Sequence, residues 1–104
     1  MKVLIVNFNV PGASLEEVAE KFEPMVPAFA NLPGMLAKCW IANEEENTYG
    51  AVYFWRDDEA LEQFQASELW ASVRSNPLIA NMSEKTFDCI EAFTKETQPV
   101  LQLV

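Results

Sequence analysis

The sequence predicts an α+β domain with the element order β-α-β-β-α-β, and three observations predict it. Strand-like segments lie near both ends and as a pair in the middle. Two helical stripes separate them, and Pro-Gly or acidic turn signals fall at the joints. Third, the 104 residues are half hydrophobic and 22% charged, a globular composition that fits one domain, 1–104.

Lys2 to Asn9 sets Val3 and Ile5 against Leu4, Val6 and Phe8, so the first strand is predicted to be buried on both faces. Pro11-Gly12 ends it with turn chemistry. Ser14 precedes Glu17 by the capping-box spacing, so a helix starts at Leu15 and carries Leu15, Val18, Ala19, Phe22, Val26 and Phe29 as one stripe. Pro24 and Pro27 fall inside that stripe. Each lacks an N–H and frees a carbonyl four residues back, which predicts a kink, or a break with a second short helix from near Pro24. After the Pro33-Gly34 turn come a strand over Met35 to Ala42, an exposed hairpin loop over Glu44 to Asn47 and a strand over Thr48 to Trp55. Asp57 or Asp58 caps the next helix, with stripe Ala60, Leu61 and Phe64; Leu69, Trp70 and Val73 add a helical turn or two before Pro77. The last strand is read over Lys85 to Thr94, and Thr97 to Val104 is an apolar tail.

This order is the split βαβ, or ferredoxin-like, arrangement, an antiparallel sheet with both helices on one face. The other face should be polar where it meets water, yet neither parity of the first strand is polar and Thr48 to Trp55 is nearly all apolar. A second copy packed sheet against sheet, a C2 homodimer, resolves the conflict, with the tail 97–104 placed across the partner protomer.

Seven Lys and Arg against sixteen Asp and Glu leave a net charge of −9, which disfavours nucleic acid and anionic membranes as partners. No apolar run approaches the roughly 18 residues of a membrane span. With no secretory pattern, Cys39 and Cys89 read as reduced, buried packing residues of a cytoplasmic protein. Histidine is absent, which removes the usual imidazole base, the common zinc sites and Ser-His or Cys-His pairs. No phosphate loop or dinucleotide fingerprint occurs, so no cofactor and no metal is expected.

The stretch Pro33-Gly34-Met35-Leu36-Ala37-Lys38-Cys39-Trp40, followed by Tyr49-Gly50-Ala51-Val52-Tyr53-Phe54-Trp55, resembles the YdhR-like family of proposed monooxygenases in the dimeric α+β barrel superfamily. The likeness runs from Phe8 to Glu91, with further anchors at Gly12, Pro24 and Lys85-x-Phe87-Asp88. It implies a ferredoxin-like protomer paired into a barrel, a pocket between sheet and helices, and oxidation of phenols without a cofactor. Two departures stand near that pocket: Ala51 replaces one glycine of the family's pair, and Ile41-Ala42-Asn43 lacks an acidic residue.

Cofactor-free oxygenation asks the protein to deprotonate its substrate, hold the anion and keep water out. Lys38 and Trp40 project from one strand face, so Lys38 is the candidate base or anion clamp and Trp40 the stacking wall. Tyr53 and Asn7 are candidate hydrogen-bond donors, and Phe22, Met25, Phe29, Tyr49 and Phe64 complete the substrate wall. Plainer roles compete: Lys38 as a solvated gatekeeper on an edge strand, the aromatics as core or interface, Asn7 as a structural amide. Arg56, Arg74, Asp88 and Glu91 read as surface charge pairs, and Asn76 to Ser83, with Met82, as a candidate lid. The reading is a cofactor-independent monooxygenase for a small phenol or quinol. Its alternative is a non-enzymatic dimeric module that binds a small hydrophobic ligand.

Overall fold

A computed structural model describes residues 1–98. The chain runs through β1 (Lys2–Asn9), α1 (Leu15–Phe22), a 3-10 turn (Glu23–Met25), α2 (Val26–Ala30), β2 (Met35–Asn43), β3 (Thr48–Trp55), α3 (Asp58–Gln65), α4 (Glu68–Arg74), β4 (Ala80–Asp88) and α5 (Glu91–Glu96). The sheet order is β2-β3-β1-β4 with every pair antiparallel, the ferredoxin-like topology, so β2 and β4 are its edges.

Local chemistry sets the boundaries. The Ser14 side chain accepts from the Glu17 amide, and Glu17 reaches back to the Ser14 N–H at 3.3 Å, a complete capping box. Asp57, rather than Asp58, caps α3, accepting from the Ala60 N–H at 2.9 Å. The two prolines break the helical stripe: Pro24 lies in the 3-10 turn and Pro27 in the first turn of α2, which brings Phe29 into the core. At the β2–β3 hairpin Asn47 takes a left-handed φ of 49°. Its side chain bonds the Val10 N–H, the Val10 carbonyl and the Ala13 carbonyl at 2.8, 2.9 and 3.3 Å. One amide thus ties the hairpin to the β1–α1 turn.

Leu4 and Val6 of β1 and Ala51, Tyr53 and Trp55 of β3 pack under Phe29, Leu61, Phe64, Trp70 and Val73, while Tyr49 of β3 packs with Val10, Val18 and Phe22 in a second cluster. The opposite sheet face carries Val3 beside Phe54 and Phe87, and Ile5 and Cys39 beside Val52. It stays open, with Phe87 45% exposed. Both cysteines are free, but Cys39 is exposed on this face and Cys89 is only half-buried, which corrects their reading as buried packing residues. The two apolar parities of the sheet are therefore not equivalent.

The C-terminal third departs most from expectation. β4 begins at Ala80, not Lys85, and ends at Asp88, where the Cys89 N–H bonds the Met1 carbonyl; Glu91–Glu96 is helical. Residues 80–83 of the expected lid belong to β4, with Ala80 opposite Asn9 and Ser83 opposite Asn7 of β1. Polar residues hid this strand. Asn81, at φ 55°, sits beside a register shift, and Glu84 is occupied by Arg74 at 2.9 Å and the Trp70 indole N–H at 2.9 Å. The expected surface pairs are present: Lys2–Asp88, Arg56–Asp57 and Arg74–Glu84, with Glu91 on the N-terminal amine. Residues 99–104, most of the tail placed across a partner, lie outside the described residues.

Candidate functional site

Lys38 stands opposite Tyr53 in the β2–β3 register, on the face that the helices cover. Its ammonium sits 3.3 Å from the Phe29 ring centroid, 3.6 Å from that of Trp40 and 4.5 Å from that of Tyr53. Among the described residues no carboxylate pairs with it, in a chain of net charge −9. Burial pulls its pKa from 10.5 down to about 7, while the negative ring faces act in the other direction by favouring the cation. β2 is an edge strand, as the gatekeeper reading required, but this lysine turns inward.

Trp40 lies one row along the same face, opposite Ala51, and its ring meets Phe29 edge-on at 5.7 Å. The residue as a whole is 44% exposed. Tyr53 is buried and its hydroxyl makes no hydrogen bond among the described residues. Burial first, and the Glu84 charge second, push that hydroxyl well above the ordinary phenol range, so it stays a proton donor.

Lys38, Tyr53, Trp40, Phe22, Met25 and Phe29 surround an inner chamber of about 30 Å³, with Trp70, Val73 and Ile79 behind them. That space is about one water molecule. Phe8, Phe22, Trp40 and Gly50 also line a cleft of about 750 Å³, within the size range of small-molecule sites. Leu15, Val18 and Ala19 of α1 form one wall of the cleft, and Trp40, Ile41, Ala42 and Tyr49 the other. Gly50 lets β1 and β3 approach here, because a Cβ at that position would strike the Val6 carbonyl. Tyr49 is 2% exposed, and its hydroxyl is buried without a hydrogen-bond partner among the described residues. Burial, then Glu44 and Glu17, push its pKa up.

Of the residues singled out in the sequence, Lys38, Tyr53, Trp40, Phe22, Met25 and Phe29 thus come together around the chamber, and Tyr49 lines the cleft. Two do not join them. Asn7 pairs with Gly50 and Ser83 on the open face, because Leu4 and Val6 take the helix side and alternation turns Asn7 outward. Phe64 is 4% exposed and packs 4.8 Å from Trp55 and 5.0 Å from Trp70, behind Tyr53 and away from both cavities. The α1 stripe was legible as core but not as a cleft wall, since periodicity does not show where a stripe lacks a facing partner.

Two comparisons bear on this site. The profile of the family described as "Putative mono-oxygenase ydhR" matches residues 3–99. The chain belongs to that family. Among solved structures, the haem-degrader MhuD from Mycobacterium tuberculosis, with two haems bound in its active site, is 25% identical, with TM-score 0.67 over 86% of this chain and 96% of that one. SnoaB, a cofactor-independent oxygenase from Streptomyces nogalater, is 23% identical, with TM-score 0.66 over 86% of this chain and 93% of that one. An antibiotic biosynthesis monooxygenase candidate from Deinococcus radiodurans reaches TM-score 0.70 at 9% identity over 86% of this chain and 92% of that one. The last two are likenesses of fold. No functionally curated protein matches the chain.

A haem is a poor fit to these residues. Haem iron takes His, Cys, Met or Tyr as its axial ligand. The chain has no His, Cys39 is on the opposite face, and burial keeps the Tyr49 and Tyr53 hydroxyls protonated. Among the described residues that line the two cavities Met25 alone remains, a weak donor, and the anionic propionates would meet Glu16, Glu20 and Glu23 along the cleft. Among the described residues no cluster of His, Cys, Asp or Glu is arranged to hold a metal ion, and no helix is long and apolar enough to cross a membrane.

Proposed function

We propose that the protein is a monooxygenase that oxidises a small phenol or quinol with O₂ and without haem, flavin or metal. The observation that carries this reading is the unpaired amine of Lys38 inside an aromatic chamber beside an apolar cleft. With its pKa near 7, a fraction of the amine is neutral at physiological pH and accepts the phenolic proton. The ammonium then holds the phenolate against the wall of Trp40, and Tyr53 donates to the developing oxyanion. The bound phenolate passes one electron to O₂, and the radical pair closes a C–O bond. Loss of the ring proton and cleavage of the O–O bond give a quinone and water. Phenol plus O₂ equals quinone plus water, so no external reductant is needed. Because the chamber holds only about one water, the ring occupies the cleft and its hydroxyl reaches Lys38 as Trp40 turns toward the exposed side.

The open apolar face fits a second copy of the chain, and that homodimer completes the proposal; sedimentation at micromolar concentration tests it. The experiment on function is oxygen uptake by metal-free, flavin-free protein with a panel of quinols and polycyclic phenols. Saturable uptake, reduced roughly 10²–10⁴-fold by Lys38→Met, is expected for a positioned base. Its rate rises with pH through about 7 as the amine loses its proton. Uptake unchanged in Lys38→Met overturns the assignment. Tight anaerobic binding with no uptake across the panel supports the alternative, a module that sequesters a hydrophobic ligand in the same cleft.

A further inference from the structure

The cleft is electrically asymmetric along its length. Its inner end is bounded by the chamber of Lys38, the one cation among the described residues that line either cavity. Its α1 side carries Glu16, Glu20 and Glu23, all exposed, and none is neutralised by an ion pair or hydrogen bond among the described residues. Between them are apolar and aromatic surfaces, and Tyr49, 2% exposed, lines the cleft and has a hydroxyl with no hydrogen-bond partner among the described residues. A buried hydroxyl without a partner is costly unless something that enters the site bonds it. The wall therefore has a vacant polar contact and a row of carboxylates that no cation among the described residues pairs with.

We propose that the cleft selects phenols that carry a protonated amine at the end remote from the hydroxyl. This deepens the aromatic-substrate reading and rests on it. The phenol end goes to Lys38 and the flat ring lies along the Trp40 wall. The Tyr49 hydroxyl bonds a polar substituent, and the ammonium faces the α1 carboxylates. Charge complementarity of this kind acts chiefly on specificity and falls with salt, because exposed charges are screened beyond about 8–10 Å at physiological ionic strength. An acidic group at the same position meets three like charges and is rejected.

The test is anaerobic binding, so that it reads recognition independently of turnover. Three matched catechols serve as probes: dopamine, 4-methylcatechol and 3,4-dihydroxyphenylacetate, which are cationic, neutral and anionic at their remote ends. Calorimetric titration at 20 mM salt is expected to rank them in that order, with roughly tenfold between the first and last. In 0.5 M salt the ratio contracts toward one. The variant Glu16→Gln/Glu20→Gln/Glu23→Gln removes the ranking, while Glu59→Gln/Glu62→Gln/Glu68→Gln, equal in net charge and on the exposed sides of α3 and α4, preserves it. Tyr49→Phe weakens all three probes alike. Equal affinities, a ranking that both triple variants erase equally, or no binding of any probe overturns the proposal. Oxygen uptake with neutral quinols reports separately whether the parent reading stands.

Discussion

Replacing Lys38 by methionine removes a charge that the fold holds away from water, and the structure sets both the sign and the scale of the result. The amine falls from 10.5 to about 7 through burial. Each tenfold change in proton affinity is worth about 1.4 kcal/mol, so charging the buried amine costs the folded state at most ~5 kcal/mol. The ring faces of Phe29, Trp40 and Tyr53 make this figure an upper bound, since any hold they have on the cation lifts the pKa and shrinks the deficit together. Because the folded-state value lies below the unfolded one, the deficit is present in full below pH 7 and fades as pH rises toward 10.5. Methionine fills the same space with a thioether suited to aromatic neighbours. Urea unfolding should therefore show Lys38→Met gaining up to about 4 kcal/mol more over the wild type at pH 6 than at pH 10. The contrast between the two pH values is the decisive readout, since any gain in apolar packing is common to both. A stability difference that is the same at pH 6 and pH 10, or a variant that is relatively worse in acid, refutes the picture of an uncompensated buried amine. A residue that lowers stability at working pH is a marker of function, since selection keeps such groups where chemistry needs them.

Glu84→Gln should cost about 2–3 kcal/mol at neutral pH by weakening its bonds to Arg74 and Trp70. Burial acts to raise the Glu84 carboxyl, but those two partners together hold it below its ordinary value. Its contribution is thus present at neutral pH and lost as pH falls through the carboxylate range, and the variant should show a flatter acid limb in thermal melts. Phe64→Leu should lose about 1–2 kcal/mol of stability in chemical denaturation with ligand affinity unchanged, because Phe64 lines neither cavity. Gly50→Ala should fail to fold or melt far lower, since the added methyl strikes the β1 backbone; a wild-type melting temperature would refute that close approach. Asn47→Ala should cost about 1–3 kcal/mol through the lost side-chain bonds and the left-handed backbone, measured by urea midpoint.

Much of the fold was legible because local chemistry and tertiary packing agree. The capping box at Ser14, the break at Pro24 and the limits of β3 all follow from signals within a few residues. β4 was not, since Glu84 and Asn81 look like surface residues until Arg74, Trp70 and the register shift are in place. Glu84 stands opposite Val6, and the Arg74 and Trp70 contacts that hold it there are encoded in no local pattern. The site divided in the same way. Lys38 and Trp40 could be put on one face from spacing alone, and Tyr53 joins them through the hairpin register. Asn7 was misplaced because both parities of β1 are apolar, so the sequence holds no cue to which one the helices cover. Phe64 carries the right chemistry for a wall but lies one layer too deep.

The proline break between α1 and α2 also bears on how such a site can change over generations. Met25 and Phe29, which floor the inner chamber, follow the break, whereas Leu15, Val18 and Ala19, which form the cleft wall, precede it on a helix with its own capped start. Since no continuous hydrogen-bond ladder joins the two segments, exchanges at one need not disturb the seating of the other. Apart from Phe22, which lines both cavities, and Val26, which follows the break but lines the cleft, depth of the chamber and shape of the cleft are therefore separately heritable properties. A lineage can fit a new ring size by altering residues 25 and 29 while keeping the outer recognition surface, or do the reverse, without rebuilding the sheet that holds the amine.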